Sequence, residues 1–220
     1  MGLMPRLSSK SPKRNASNSR ERRQERLRDT LKAVALALVR EHGPSGLTLR
    51  ELARRMDYTP AGLYPYFGSK EQLLAELGRD AFAALGEALS RVPADLPPAR
   101  RIVALGEAYL RFAREHREHF LLVFRDVPAP RASWAGFLEH AEQLRPLVGA
   151  VEEGLASGAL VAWPGQAAGD IVYGLWATVH GLAMLEQTVL RALTEDAGPR
   201  QRATLERVTR TLVAPSAGVS

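Results

Sequence analysis

The 220-residue chain contains no cysteine. That excludes disulfides, thiolate metal sites and a cysteine nucleophile, and it fits a reducing compartment. No apolar run approaches the roughly 18 residues that span a bilayer. The basic N-terminus is not followed by the apolar stretch of a secretory signal. A soluble, cytoplasmic protein is therefore expected. No segment sustains the period-2 alternation of a half-buried strand, and no internal repeat stands out. Gly-rich phosphate loops, G-x-S-x-G, HExxH and paired E-x-x-H motifs are all missing, so nothing marks an enzyme.

What is present is a hydrophobic fraction of 45%, enough for a packed core. The formal net charge is +6, and it is unevenly placed: residues 1–80 hold 16 Lys and Arg against 9 Asp and Glu, whereas residues 81–220 hold 14 against 15. A basic module on a near-neutral body points to a polyanion partner for the module alone, with a merely solvated surface as the alternative.

The apolar spacing reads as all-α. Residues 1–19, rich in Ser, Pro, Asn, Lys and Arg, are expected to be a disordered basic tail, serving solubility or touching DNA as an arm. A helix is expected from about Arg20, with Leu27, Leu31, Val34, Ala35 and Leu38 on one face, ending at Gly43-Pro44. Residues 20–68 form the head. A connecting helix over 69–92 carries Leu73, Leu74, Leu77, Ala81 and Leu85 inward. The Pro-rich stretch at 93–98 separates it from a body over 93–214, with helical patterns near 99–115, 118–125, 133–157, 167–194 and 199–213.

Within the head, Thr48 precedes Glu51 and Ser69 precedes Gln72 by three residues, the spacing of capping boxes. Thr59-Pro60 marks a third helix start, with Thr as cap and Pro at the first helical position. A three-to-four-residue turn between Met56 and Pro60 makes a helix-turn-helix. There the second helix offers Thr59, Pro60, Ala61 and Gly62 to base edges in the major groove. Leu63 and Phe67 share a face and read as core. Tyr64 and Tyr66 lie nearer the groove walls, with packing as their alternative role. Lys70 sits in the first turn of the connecting helix, unfavourable for the dipole and so suited to phosphate.

The stretch LTLRELARRMDYTPAGLYPYFGSKEQLL, with its Thr-x-x-x-Leu-Tyr-x-Tyr-Phe-x-Ser-Lys-Glu-x-Leu spacing, resembles the DNA-binding head of the TetR family of repressors. The match covers residues 22–78. The resemblance implies a homodimeric, ligand-responsive regulator on a palindromic operator, and it supports Thr48, Thr59, Tyr64, Tyr66 and Lys70 as DNA contacts. Two departures are visible. Asp57-Tyr58 replaces a Gly and a small aliphatic residue, so Asp57 is expected in a left-handed turn and Tyr58 within reach of DNA. Pro65 lies inside the third helix and is expected to bend or shorten it.

In the body, Trp176, His180 and Gly181 resemble the Trp…His-Gly signature of one subgroup of TetR-type C-terminal domains. Gly174, Ala177 and Gly181 permit close helix approach, which suits a dimer interface built by the last two helices, with Leu205 and Val208 on the second; packing within one subunit is the alternative. An effector pocket needs apolar walls with a few polar points. The candidates are Tyr109, Phe112, Phe120, Trp134, Phe137, Tyr173 and Trp176, with His116 and His180 as polar points. Phe124, Trp163 and His140 are further possibilities. The expected effector is small and hydrophobic or aromatic. His116 and His119 lie three apart beside carboxylates, but no fourth ligand follows; neither metal nor other cofactor is expected. The expected function is a ligand-released, DNA-binding repressor. A non-specific structural DNA-binding protein and an α-helical enzyme are the alternatives.

Overall fold

A computed structural model describes residues 12–126, 133–192 and 196–213. They divide into two compact units, Met1–Leu74 and Ala75–Ser220. Among the described residues there is no strand, only an isolated antiparallel bridge between Leu160 and Val213.

In the first unit, α1 runs Pro12–Gly46. Leu31, Ala35 and Leu38 are fully buried on its inner face. The helix starts earlier than the expected Arg20: Pro12 suits a first helical position, and once a helix is nucleated, adding residues costs little. Residues 12–19 are thus helical, which corrects the expected disordered tail; residues 1–11 lie outside the described residues. Gly43, at φ 71 and ψ 172, breaks the helical path where the Gly-Pro signal placed the break. α2 (Leu49–Arg55) and α3 (Pro60–Leu63) follow. Leu47, Leu52, Leu63 and Phe67 close the small core with α1.

α4 (Lys70–Ser90) links the two units in sequence. Its cap differs in detail from a capping box. The Ser69 hydroxyl accepts from the Gln72 N–H at 3.2 Å, but the Gln72 side chain accepts from the Gly68 N–H at 3.0 Å instead of from Ser69.

In the second unit, α5 (Pro98–Glu115) is the central helix, packed on by α8 (Arg145–Ala156), α9 (Ala168–Gln187) and α10 (Gly198–Arg210). Leu105, Tyr109, Phe112 and Ala113 of α5 are buried. Each such large apolar side chain contributes roughly 1.5–3 kcal/mol relative to exposure. Gly106 allows the close approach of α10: a Cβ there would stand 2.8 Å from the Leu205 methyl. Buried Arg101 ties the 93–98 stretch to α8, donating to the Ala94 carbonyl and the Glu153 carboxylate.

Several helices are shorter than their apolar patterns. The expected 118–125 helix is α6 (Arg117–Leu121) followed by a π turn over Leu122–Asp126. The expected 133–157 helix is split into α7 (Trp134–His140), a 3₁₀ turn (Glu142–Leu144) and α8. Pro146 explains the split, because it lacks an N–H and its ring crowds the carbonyl four residues back. α9 ends at Gln187 rather than near 194. There the Thr188 hydroxyl donates to the Met184 carbonyl at 2.5 Å, competing with the helical ladder.

Candidate DNA-binding surface and effector cavity

The head presents its candidate residues through three local devices. Thr48 caps α2, its hydroxyl accepting from the Glu51 N–H at 3.0 Å. Glu51 does not return the bond to Thr48; its carboxylate takes Arg54 at 2.6 and 2.8 Å, since a bidentate charged pair outcompetes a neutral N–H. Arg55 likewise holds Glu41 of α1 at 2.5 and 3.1 Å. Both carboxyls are held below their ordinary range, foremost by these Arg hydrogen bonds. Arg54 and Arg55, which the motif leaves unassigned, therefore brace α2.

The turn follows. Asp57 adopts φ 56, the left-handed conformation expected of it, and the Tyr58 N–H closes the turn onto the Ala53 carbonyl at 2.9 Å. Thr59 caps α3, accepting from the Gly62 N–H at 3.2 Å. Pro65 shortens α3: it ends at Leu63, and only a turn carries the chain to Phe67, whose N–H donates to the Leu63 carbonyl at 3.0 Å.

The outcome is a clean partition. Leu63 and Phe67 are buried, whereas Thr48, Thr59, Pro60 and Ala61 are exposed, Tyr58 is 42% exposed and Tyr64 59%. Gly62, Tyr66 and Lys70 are half-buried. The Tyr58 ring lies over Gly62, 3.5 Å from where a Cβ would stand. The Arg28 guanidinium sits 5.1 Å from the centre of the Phe67 ring. The Lys70 ammonium is 3.5 Å from the Ser45 carbonyl, too long to anchor it.

In the body, four of the candidate pocket residues converge. The Tyr109 hydroxyl lies 2.9 Å from His180 Nδ1. Phe120 is edge-on to Tyr109 at 5.9 Å, and Trp176 lies 5.7 Å from His180. Phe124 completes the group, 4.7 Å from His180. Burial pushes the Tyr109 phenol up, partly countered by the Trp176 indole, and burial pushes the His180 imidazole down. Trp134 and Phe137 of α7 stack on Trp176 at 6.0 and 5.6 Å, and Trp134 donates to the Gly169 carbonyl at 3.0 Å. Tyr173 is edge-on to Trp134 but mostly exposed.

This aromatic group is packed ring against ring. Phe112 and His116 stand apart from it, paired at 4.9 Å, with His116 exposed at the break between α5 and α6. Their four-residue spacing pairs them with each other on one face of α5, and Phe112 is buried in the wider core. Trp163 is exposed, and the His140 side chain lies outside what is described.

A cavity lies elsewhere in the body. It holds about 30 Å³ and is walled by Leu89, Leu105, Leu147, Leu175, Val208 and Thr209, among others. Of the nine expected pocket residues only Tyr109 and Trp176 border it. Aromatic residues mark a pocket in a sequence, whereas aliphatic walls such as these carry no signal that separates cavity from core. A second and larger recess, about 330 Å³, lies at the end of α9 and the start of α10, with Glu186, Arg191 and Gln201 in its walls.

The interface candidates divide. Gly174 and Ala177 are exposed, and a Cβ added at Gly174 or Gly181 would meet nothing within 4 Å. Flanked by exposed Tyr173 and Leu185, they form an open stripe along α9. Leu205 and Val208 do not join it. Leu205 is buried against Gly106, and both residues line the inner cavity, because the outer face of α10 is taken by Arg202, Arg207 and Arg210.

Known proteins share this architecture. A family model described as "Bacterial regulatory proteins, tetR family" matches residues 31–77. A second, "Tetracyclin repressor-like, C-terminal domain", matches residues 102–212. The HTH-type transcriptional regulator BetI of Rhizobium meliloti is 30% identical over 163 residues, covering 70% of this chain and 75% of its own length. A solved structure from Rhodococcus sp. RHA1, of unknown function, superposes with a TM-score of 0.71 at 29% identity, covering 86% of this chain and 96% of that one. The ketosteroid transcriptional regulator KstR2 of Mycobacterium tuberculosis shares the fold at a TM-score of 0.58 and 16% identity, over 86% and 95% of the two chains. With its helix-turn-helix head and its helical C-terminal domain both matched, the chain belongs to the TetR family of ligand-responsive, DNA-binding transcriptional regulators.

Proposed function

We propose that the protein is a homodimeric repressor that grips a palindromic operator through Thr48, Tyr58, Thr59, Pro60, Ala61 and Tyr64, and is released when a small hydrophobic molecule enters its body. The observation that carries this reading is the partition of the recognition segment, with Leu63 and Phe67 buried and Tyr58 through Ala61 and Tyr64 turned to solvent. Thr59 and Ala61 suit base edges, one by its hydroxyl and the other by a methyl contact. The hydroxyl of Tyr64 and the loosely held ammonium of Lys70 suit phosphates. Gly62 and half-buried Tyr66 complete the segment, Gly62 by leaving room for the Tyr58 ring.

The open α9 stripe of Gly174, Ala177 and Gly181 supports pairing with a second copy, since small residues let helices approach closely. Ligand and operator then act on one equilibrium, each weakening the other's binding by the same factor. A gel-shift titration with the DNA flanking the coding region tests the reading. A discrete complex that survives competition by unrelated DNA supports it. Equal affinity for both DNAs fits a non-specific structural protein instead.

A further inference from the structure

We infer that the effector seat is the cavity between the last turn of α4 and helices α5, α8, α9 and α10, and that it takes a slender, neutral amphiphile: an alkyl chain bearing one hydroxyl or carbonyl group. This deepens the proposed regulatory reading and rests on it. Three observations converge on that chemistry.

The first is the wall. It is made of aliphatic side chains, chiefly Leu89, Leu105, Leu147 and Leu175, and no Asp, Glu, Lys or Arg borders it. A charged ligand would lose its hydration there with nothing to replace it.

The second is one unanswered polar group. The Thr209 hydroxyl lines the cavity, is buried, and has no hydrogen-bond partner among the described residues. The other polar groups at the wall are already engaged. Thr178 donates to the Gly174 carbonyl at 2.8 Å, and the Tyr109 hydroxyl is bound to His180. A buried hydroxyl without a partner is costly, and a ligand that supplies the missing bond removes that cost. One free hydroxyl asks for one polar group on the ligand.

The third is shape. The cavity holds about 30 Å³, room for a water-sized group and not for a rigid ring system. Entry requires side chains to give way. Leu205, whose methyls stand over Gly106, and half-buried Val208 border the cavity on α10. Displacing packed side chains carries a packing cost for any ligand, but a flexible chain of methylenes spreads the displacement over several side chains, whereas a rigid polyaromatic concentrates it. The aromatic group around His180 is already filled by its own stacked rings.

The test is calorimetric and thermal-shift titration of the full-length protein with hexanol and, as the control of matched shape, hexane. The expected result is that hexanol binds more tightly than hexane to the wild type. Thr209→Val should raise the melting temperature of the ligand-free protein and erase the preference for hexanol, a loss of roughly 3- to 10-fold for one neutral hydrogen bond. Thr209→Ser, which keeps the hydroxyl, should retain the preference. Val208→Phe, filling the border from a half-buried position, should weaken both ligands. Equal binding of hexanol and hexane to the wild type, no binding of either, or a Thr209→Val protein that still prefers hexanol would overturn the assignment. Release from operator DNA is read separately. If hexanol binds but leaves the DNA complex intact, the cavity is not the effector seat and the assignment falls, while the regulatory reading stands or falls on the gel shift alone. If another compound releases DNA without competing with hexanol, the seat fails and the regulatory reading stands.

Discussion

The phenolic oxygen of Tyr109 and Nδ1 of His180 lie 2.9 Å apart, joining α5 to α9 at the centre of the aromatic group. The bond suits a neutral imidazole, with Nδ1 accepting and the proton on the other nitrogen. Burial lowers the His180 pKa from its ordinary 6.5, so the folded state binds fewer protons than the unfolded chain once the pH drops below that value. Stability should therefore be fully present above about pH 6.5 and fall as the pH is lowered toward the folded-state pKa. His180→Asn keeps an acceptor for Tyr109 but cannot be protonated. Its melting temperature should fall less between neutral and mildly acidic pH, by up to about one proton's worth of slope. His119, also lowered by burial and then by His116, accounts for part of what remains. An unchanged slope in His180→Asn would mean that the imidazole titrates alike in both states.

Tyr64 and Phe67, three residues apart, should behave oppositely. Tyr64 is 59% exposed and Phe67 is 1% exposed. Tyr64→Ala should weaken operator binding by roughly 10- to 100-fold, the worth of one hydrogen bond to a charged phosphate, while helix content and melting temperature stay put. Phe67→Ala should destabilise the head by about 3–5 kcal/mol. Circular dichroism and gel shifts on both variants separate the two effects.

Lys70 is expected to act through charge alone. Lys70→Ala should lower affinity for operator and unrelated DNA alike and reduce the slope of log affinity against log salt by about 1. An unchanged slope would leave the ammonium without a phosphate partner.

The α9 stripe can be tested by charge. Ala177→Glu lies on the exposed stripe and should shift the dimer toward monomer in sedimentation without lowering helix content. Leu205→Ala should instead cost about 2–5 kcal/mol of stability, because Leu205 is buried inside one subunit. Persistence of the dimer in Ala177→Glu would move the interface off this stripe.

What the sequence revealed followed from local chemistry. Thr48, Thr59 and Ser69 cap helices through bonds to residues three positions on, so their roles are written in the spacing. Pro65 and Gly43 act through their own backbone constraints, and both acted as expected. What stayed hidden depends on partners distant in the chain. Helical spacing puts Leu205 and Val208 on one face but cannot say whether that face meets a second subunit or α5. The same ambiguity held for Phe112 and His116, whose aromatic character suggested a pocket although they lie apart from the cavity. Thr209 carried no signal, since a threonine in a helix acquires meaning only once its hydroxyl is found buried and unpaired.

The most direct test of the central claim is a gel-shift titration of the purified full-length protein on the DNA flanking its coding region, at two salt concentrations and with unrelated DNA as competitor. Specific recognition by the Tyr58–Tyr64 segment predicts a discrete complex on the flanking DNA that unrelated DNA fails to displace at the higher salt, and that Tyr64→Ala weakens. Binding that is equal on both DNAs and vanishes alike with salt would contradict the account.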